Sequence, residues 1–517
     1  MPTRATYDVV VLGAGPAGSA AATLLARNGR QVAVVRPATP PAAALPESVP
    51  PSARRILEEL GFQPWIEGAG FHAARGHTVW WAGAAERRET FANEAAGFHT
   101  DREALERTLV AVAARAGAEV LDGTSARSAT AREHGWVVAC DGEAVGKMEI
   151  EATWVIDATG RRGVLARLAG RLPDRSTSTL ALVRRWRHRG GWPAEHAHRT
   201  LVESYSDGWA WSVPLDDEVR CFAAMIDGGS GERPEDPPVR GRRSVPDAAE
   251  ILEGELAKTR HLGPLRLGAE PDGPAWACSA SLYTASRFAR QGLLLAGDAA
   301  SAIDPLSSFG VKKALSSGWL AGIVANTALA EPAWTGEAIA FYERREREVY
   351  RRYRILSAPF FDEAARAYGT PYWERRARAA REAVENGAGH DRFVDADPDA
   401  WGETVPEEAV RDAFERIRAL PALAARPGSS LRTVRRLAVE RDRLVPCEHL
   451  ASDACPEGLR WVRGVDLHRL VATVPSHAEV SEAWAAYNGT APPVTLPDFL
   501  SALAAAFAAG FLEHASP

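Results

Sequence analysis

The segment Gly13-Ala-Gly15-Pro-Ala-Gly18 constrains this chain more than any other. It follows an apolar run at residues 7–12 and opens a stretch, Gly13 to Asn28, with helical spacing, after which Gln31–Val35 reads as a second strand. Strand, glycine turn, helix and strand in such close order make a βαβ opening. In that setting Gly13 permits the tight turn, Gly15 lets a pyrophosphate approach the backbone, and Gly18 lets helix and strand pack closely. The phosphates would meet free N–H groups and the positive end of the helix dipole. Where an acidic residue normally receives the ribose hydroxyls stands Arg36, which cannot accept a hydrogen bond. Stacking on adenine or contact with phosphate is its expected use.

With 517 residues the chain has room for two to four domains. Its composition, 46% hydrophobic and 25% charged, is that of a globular protein rather than a disordered or collagenous one. Five scattered cysteines form no CxxC pair, which argues against zinc ribbons and iron–sulfur sites, so no metal is expected. The same scatter fits a reducing, cytoplasmic setting. No signal peptide is expected, and the longest apolar stretches, such as Trp319–Ala330, are too short to cross a bilayer. A net charge of −6 argues against a nucleic-acid partner. Only four lysines occur, Lys147, Lys258, Lys312 and Lys313, so any chemistry that needs one has few candidates.

The opening βαβ unit leads through a Pro/Ala loop (37–53) to a short helix near Arg54–Gly61, a longer helix ending at Ala116–Gly117, and a hairpin and strand from Val137 to Ile156. Residues 177–230 alternate like an antiparallel sheet, a breaker-rich loop covers 228–243, and a helix follows at about 247–260. Strands return at 275–297, and helices dominate from Val311 to about Glu385, with 341–353 expected as one solvated face. A turn-rich run, Gly387–Trp401, reads as a linker. Beyond it lie two short strands within 432–446, helices over Val465–Val474 and His477–Tyr487, and a third starting at the capping pair Thr495 and Asp498.

Four separated pieces carry a resemblance to the FAD-dependent aromatic hydroxylase fold, and within it to the flavin-dependent halogenase-like branch. They are the Gly13–Gly18 turn, His99-Thr-Asp-Arg102, Asp157-Ala-Thr-Gly160, and the loop from Gly297-Asp298 through Asp304-Pro305 to Gly310. Trp209-Ala-Trp211-Ser-Val-Pro214 resembles the halogenase WxWxIP signature, and Pro46-Glu47-Ser48 resembles the GES segment. The resemblance implies noncovalent FAD held by Gly13, Gly15, Gly18, Arg36, Arg102, Gly160 and Asp298, with Pro305, Ser308, Gly310 and Val311 against the isoalloxazine ring. A helix starting near Val311 would aim its N-terminal dipole at the flavin.

Two departures count against halogenation. Halogenases of this kind place a lysine on the strand after the GES region, where this chain reads GFHAARGHTVWW over Gly70–Trp81. Arg75 and His77 are the nearest ionisable residues, and arginine does not share lysine's nucleophilicity. The flavin loop also carries Ser307 and Phe309 where tryptophan halogenases carry an acidic and a small hydroxyl residue. Lys312 and Lys313 are expected at the surface, or as dipole or phosphate contacts.

The expected fold is therefore α/β. A Rossmann-like FAD-binding domain (1–175 and 275–385) surrounds an inserted antiparallel-sheet substrate domain (176–274). A linker and helix (386–431) then lead to a winged-helix-like C-terminal module (432–517). The expected activity is hydroxylation of an aromatic ring through a C4a-hydroperoxyflavin. The nearest resemblance, to lysine-lacking members that act in tryptophylquinone biogenesis, implies a tryptophan in a peptide or protein. Alternatives are a halogenase of an indole, phenol or pyrrole, a reductase or dehydrogenase, and a non-catalytic FAD-containing scaffold. Glu47, His72 and His77 are candidate bases, and Trp209, Trp211 and Phe309 candidate substrate contacts. Molecular oxygen, an external flavin reductase or NAD(P)H, and a polypeptide gripped by the C-terminal module at a strand edge are the expected partners. No membrane is expected among them.

Overall fold

The computed structural model describes residues 4–38, 46–91, 96–143, 146–173, 178–228, 248–387, 405, 407–419, 422–490 and 492–514. The expected breaker-rich loop (all but its first residue), the linker from residue 388 onward and the middle of the Pro/Ala loop lie outside these residues. The chain divides into two units, Met1–Ala383 with Arg441–Arg443, and Val384–Glu440 with Leu444–Pro517.

A parallel sheet carries the first unit. Its strands run in the order Leu293–Leu295, Gly146–Asp157, Arg4–Leu12, Val32–Arg36 and Glu119–Asp122. Val9–Leu12 and Val32–Val35 are buried throughout, as strands covered on both faces must be. The helix Pro16–Arg27 packs along the helix Gly310–Ala330. Both begin at the carboxyl side of this sheet, where open α/β folds bind ligands.

A seven-stranded sheet forms the second layer, in the order Glu270–Ser279, Thr179–Arg187, Val219–Asp227, Gly208–Pro214, Arg199–Tyr205, Gly76–Trp80 and Arg87–Thr90. It is therefore not built from 176–274 alone. Gly76–Trp80 joins it from the FAD-side sequence by pairing parallel with Arg199–Tyr205, and Glu270–Ser279 runs past the expected boundary. A parallel neighbour this distant in sequence leaves no local signature. The smaller sheet Pro46–Val49, Gly97–Asp101, His72–Ala74 completes the frame of the site.

The charged run 341–353 is not one solvated face. Within the helix Thr335–Tyr368, Phe341, Tyr342, Glu346 and Tyr350 are buried. Arg and Glu alternate through the run, so charge density masks a helical apolar stripe.

The second unit has its own core, built from Ile417, Leu450, Leu467, Phe499, Leu503 and Phe511 among others. It begins well before 432. The helix Glu407–Ala419 packs on Leu496–Ala508, and Ala425–Pro427 pairs antiparallel with Leu512–His514. The expected strands are Arg432–Glu440 and Arg443–Ala451, and the expected helices are Leu467–Thr473, Val480–Asn488 and Leu496–Ala508. Thr495 caps the last of these, accepting from the Asp498 backbone N–H at 3.3 Å. No helix among the described residues is long and apolar enough to cross a membrane.

Candidate active site

A cleft of about 440 Å³ opens in the first unit, between the carboxyl ends of the parallel strands and the antiparallel sheet. Its floor at one end is the Gly13–Pro16 turn. Gly13 has φ +98°, and a Cβ there would stand 2.5 Å from the Ala158 carbonyl oxygen. At Gly18 a Cβ would run into the Gly13 carbonyl, so this glycine packs inside the turn and does not line the cleft. Gly15 differs from both. Its backbone is extended (φ −70°, ψ −175°), and a Cβ would meet only the tip of Glu106, at 3.3 Å. The helix it precedes has no side-chain N-cap and no acidic residue in its first turn, so its N–H groups stay available to an anion.

Arg36 lines the cleft, but its guanidinium donates to Asp122 Oδ1 at 2.8 Å. Asp122 stands at the end of the neighbouring strand Glu119–Asp122, off the cleft wall, and serves there as the partner of Arg36. Arg102 opens the helix Arg102–Arg115, which Asp101 caps by accepting from the Ala104 N–H at 2.8 Å. The Arg102 side chain spans Glu106 (3.0 Å) and Glu47 (3.7 Å). Glu47 keeps 22% of its exposure, within the cleft. Burial pushes its carboxyl up to about 7, with Arg102 pulling the other way.

The Asp157–Gly160 piece folds through its buried first carboxylate. Asp157 accepts from the Thr159 N–H (3.0 Å), the Thr159 hydroxyl (2.6 Å) and the Leu165 N–H (2.6 Å). Gly160, at φ +62°, presents open space to the cleft. At the far end Asp304 caps the turn Pro305–Ser307 by accepting from the Leu306 N–H at 2.9 Å. Ser308 takes a left-handed conformation at φ +54°, which costs about 1–2 kcal/mol for a non-glycine residue. Pro305, Ser308, Gly310 and Val311 all line the cleft, and the helix they lead into is again uncapped by any side chain.

Trp209 and Trp211 share one face of Gly208–Pro214 and wall the cleft. Among the described residues the buried Trp211 Nε1 has no hydrogen-bond partner, which leaves a donor for a bound group. Phe309 does not join them. Its ring packs 5.6 Å from Tyr353, turned aside by its place at the helix start.

His72 and His77 also stand off the cleft wall. His72 Nε2 engages the Ala197 carbonyl at 2.8 Å, and its ring stacks on His198 at 4.7 Å. His77 lies against Phe91 and 3.9 Å from Glu89, on the sheet's outer margin. The cause is the break at Arg75, which sends 72–74 and 76–80 into different sheets. His99 takes the inner place instead. Its Nε2 lies 2.9 Å from Thr200 Oγ1, which lies 2.9 Å from Ser48 Oγ, and both hydroxyls reach the cleft. Burial first, then the positive charge of Arg220 and the neighbouring histidines, holds His99 well below the ordinary imidazole range. Ser48 and His99 belong to the Pro46-Glu47-Ser48 and His99-Thr-Asp-Arg102 pieces, whereas nothing local marks Thr200.

Lys312 and Lys313 are buried, not superficial. The cradle at Gly15 and Gly160, two open helix N-termini and an unpartnered indole N–H fit a dinucleotide carrying a polar ring.

Residues 6–207 match the FAD binding domain family. A tryptophan 2-halogenase of Chondromyces crocatus is 28% identical over 401 residues, covering 74% of this chain and 73% of that protein. Among solved structures, the flavin-dependent halogenase CmlS superposes with a TM-score of 0.76 at 21% identity, covering 99% of this chain and 96% of the other. The peptidyl tryptophan dihydroxylase QhpG, described as essential for tryptophylquinone cofactor biogenesis, superposes with a TM-score of 0.63 at 25% identity, covering 93% and 95%.

Proposed function

We propose that this chain, an FAD-dependent oxidoreductase of the halogenase and aromatic monooxygenase group, hydroxylates an aromatic ring, a tryptophan held in a peptide or protein. Enzymes of this kind use oxygen and reduced flavin supplied by a reductase. One observation carries the choice of hydroxylation: none of the four lysines lines the cleft. Lys147 is exposed on the strand Gly146–Asp157. Lys258 pairs with Asp207 at 2.7 Å and Glu255 at 2.9 Å. Lys312 and Lys313 lie buried in the helix Gly310–Ala330. A site without an ammonium has nothing to hold or relay a hypohalous acid in the halogenase manner.

Bound FAD supplies the electrons and the activation of oxygen. The residues of this chain supply the rest. Gly15 and the helix behind it take the pyrophosphate, and Arg102 takes the phosphate or ribityl side. Trp209 and Trp211 exclude water and orient the ring. The Ser48 and Thr200 hydroxyls, held in line by the neutral His99 imidazole, hydrogen-bond and position the substrate at the cleft. Glu47, drawn to Arg102, serves the cofactor side.

The polypeptide substrate is supported by the likeness to QhpG, a peptidyl tryptophan dihydroxylase, over 93% of this chain. The outer edge of Arg432–Glu440, whose one strand partner among the described residues is Arg443–Ala451, suits an added peptide strand. Among the described residues no disulfide joins the five cysteines, which suits a reducing cytoplasm. The second reading, halogenation, is favoured by the tryptophan 2-halogenase relative. Reduced FAD, oxygen, bromide and a panel of tryptophan-containing peptides separate the two by mass spectrometry. Gain of oxygen atoms is the expected result, and a bromine isotope doublet would reverse the ranking.

A further inference from the structure

The segment Leu295–Ser301, which carries Asp298 into the cleft, is held from behind by side chains that the cofactor reading does not use. The Tyr342 hydroxyl donates to the Leu295 carbonyl at 2.7 Å, and the Tyr283 hydroxyl to the Asp298 carbonyl at 2.6 Å. The Gly297 N–H donates to Ser317 Oγ at 2.9 Å. Lys313, one helical turn before Ser317, donates from Nζ to the Gly297 carbonyl at 2.8 Å and also to the Ser301 carbonyl. Both backbone groups of Gly297 are thus gripped by one face of the helix whose N-terminus borders the cleft. Lys313 is 2% exposed and Glu346, which faces it electrostatically and shares Ser317, is 3% exposed.

An ammonium is an expensive way to satisfy two carbonyls. Its burial costs several kcal/mol unless it is well paired, and a neutral donor would serve the hydrogen bonds alone. What the ammonium adds is charge in the low-dielectric ground under the cofactor turn, set against the carboxylates of Asp298 and Glu346. Burial draws the Lys313 amine below its ordinary range while Asp298 and Glu346 pull it back, and burial raises the Glu346 carboxyl against the pull of Lys313.

We propose that Lys313 is a positioning residue of the flavin site: it fixes the Gly297–Ser301 segment so that Asp298 is presented to the cofactor, and its balance with buried Glu346 sets the charge felt by the flavin. The inference rests on FAD occupying this cleft, and a wild-type protein that takes up no FAD would refute that premise rather than the role of Lys313.

The test uses FAD-loaded protein and reads the flavin midpoint potential, with FAD affinity measured by titrating apoprotein. Glu346→Gln keeps size and hydrogen bonding but removes the buried carboxylate behind the ammonium, leaving only Asp298, on the cleft side, to offset it. The potential should then rise by at least a tenfold change in the two-electron equilibrium, about 30 mV. The double variant Lys313→Met with Glu346→Gln removes both charges. Its potential should return to the wild-type value, while its FAD affinity falls at least tenfold because the turn has lost its anchor. A smaller or opposite shift in Glu346→Gln, or wild-type FAD affinity in the double variant, overturns the proposal. If the double variant does not fold, the Glu346→Gln potential decides by itself.

Discussion

Replacing Gly15 with valine should separate cofactor binding from folding. Gly15 has ordinary extended dihedrals, so a side chain adds no backbone strain, and its Cβ meets only the flexible end of Glu106 at 3.3 Å. The stability cost to the apoprotein is therefore small, within about 0.5 kcal/mol, as for surface changes that touch no packed core. The branched side chain nonetheless fills the space through which a pyrophosphate reaches the helix N-terminus. Losing that approach should weaken FAD at least a hundredfold, about 2.7 kcal/mol. Gly18→Ala is the contrasting control, because its Cβ collides with the Gly13 backbone carbonyl and the apoprotein itself should be destabilised by several kcal/mol. Thermal denaturation with and without FAD reads both effects, since ligand at a hundred times its dissociation constant adds about 2.7 kcal/mol to stability. The Gly15→Val apoprotein should melt like wild type yet gain nothing from FAD. Wild-type FAD affinity in that variant, or an apoprotein as damaged as Gly18→Ala, would refute the argument.

Arg36→Ala should weaken FAD by less than about fivefold, because Arg36 already spends a 2.8 Å ion pair on an exposed Asp122 and such contacts are worth about 1 kcal/mol or less; complete loss of FAD would contradict this. Glu47 has a folded pKa near 7, above the ordinary 4.5, so the folded apoprotein binds the extra proton and loses stability as pH climbs through that window. Glu47→Gln should then raise the apoprotein melting temperature at pH 8 relative to wild type, by an effect of up to about 3 kcal/mol, and change it little at pH 4; the reverse order would show that pairing with Arg102 outweighs burial. Removing the C-terminal unit should be done from Val384, since a cut at 430 would strip the cover from Ala413 and Ile417. If that unit grips a polypeptide, the shortened enzyme should keep FAD and show a raised KM for a long substrate with little change in turnover at saturation. Unaltered kinetic constants on long and minimal substrates would remove the recognition role.

Sequence alone determined the features whose physics is local. The glycine turn, the strand before it and the helix after it are encoded within neighbouring residues, as are the Asp101 and Thr495 caps and the self-closing Asp157–Gly160 loop. The same holds for the cleft-lining residues of the Pro305–Val311 loop, and for the two indoles that a strand's period of two places on one face. Tertiary structure decided whatever depends on partners far along the chain. Arg36 meets Asp122 across eighty-six positions, and His99 meets Thr200 across a hundred and one. Gly76–Trp80 leaves its sequence neighbours to pair with Arg199–Tyr205, which carries His72 and His77 away from the cleft. Lys313 looked like a surface cation because nothing in GVKK reports that the Gly297 and Ser301 carbonyls will close over its amine. A short peptide pattern specifies dihedrals and periodicity, whereas burial and charge pairing are properties of the assembled layers, and those set which ionisable groups work at the site and which only hold it in place.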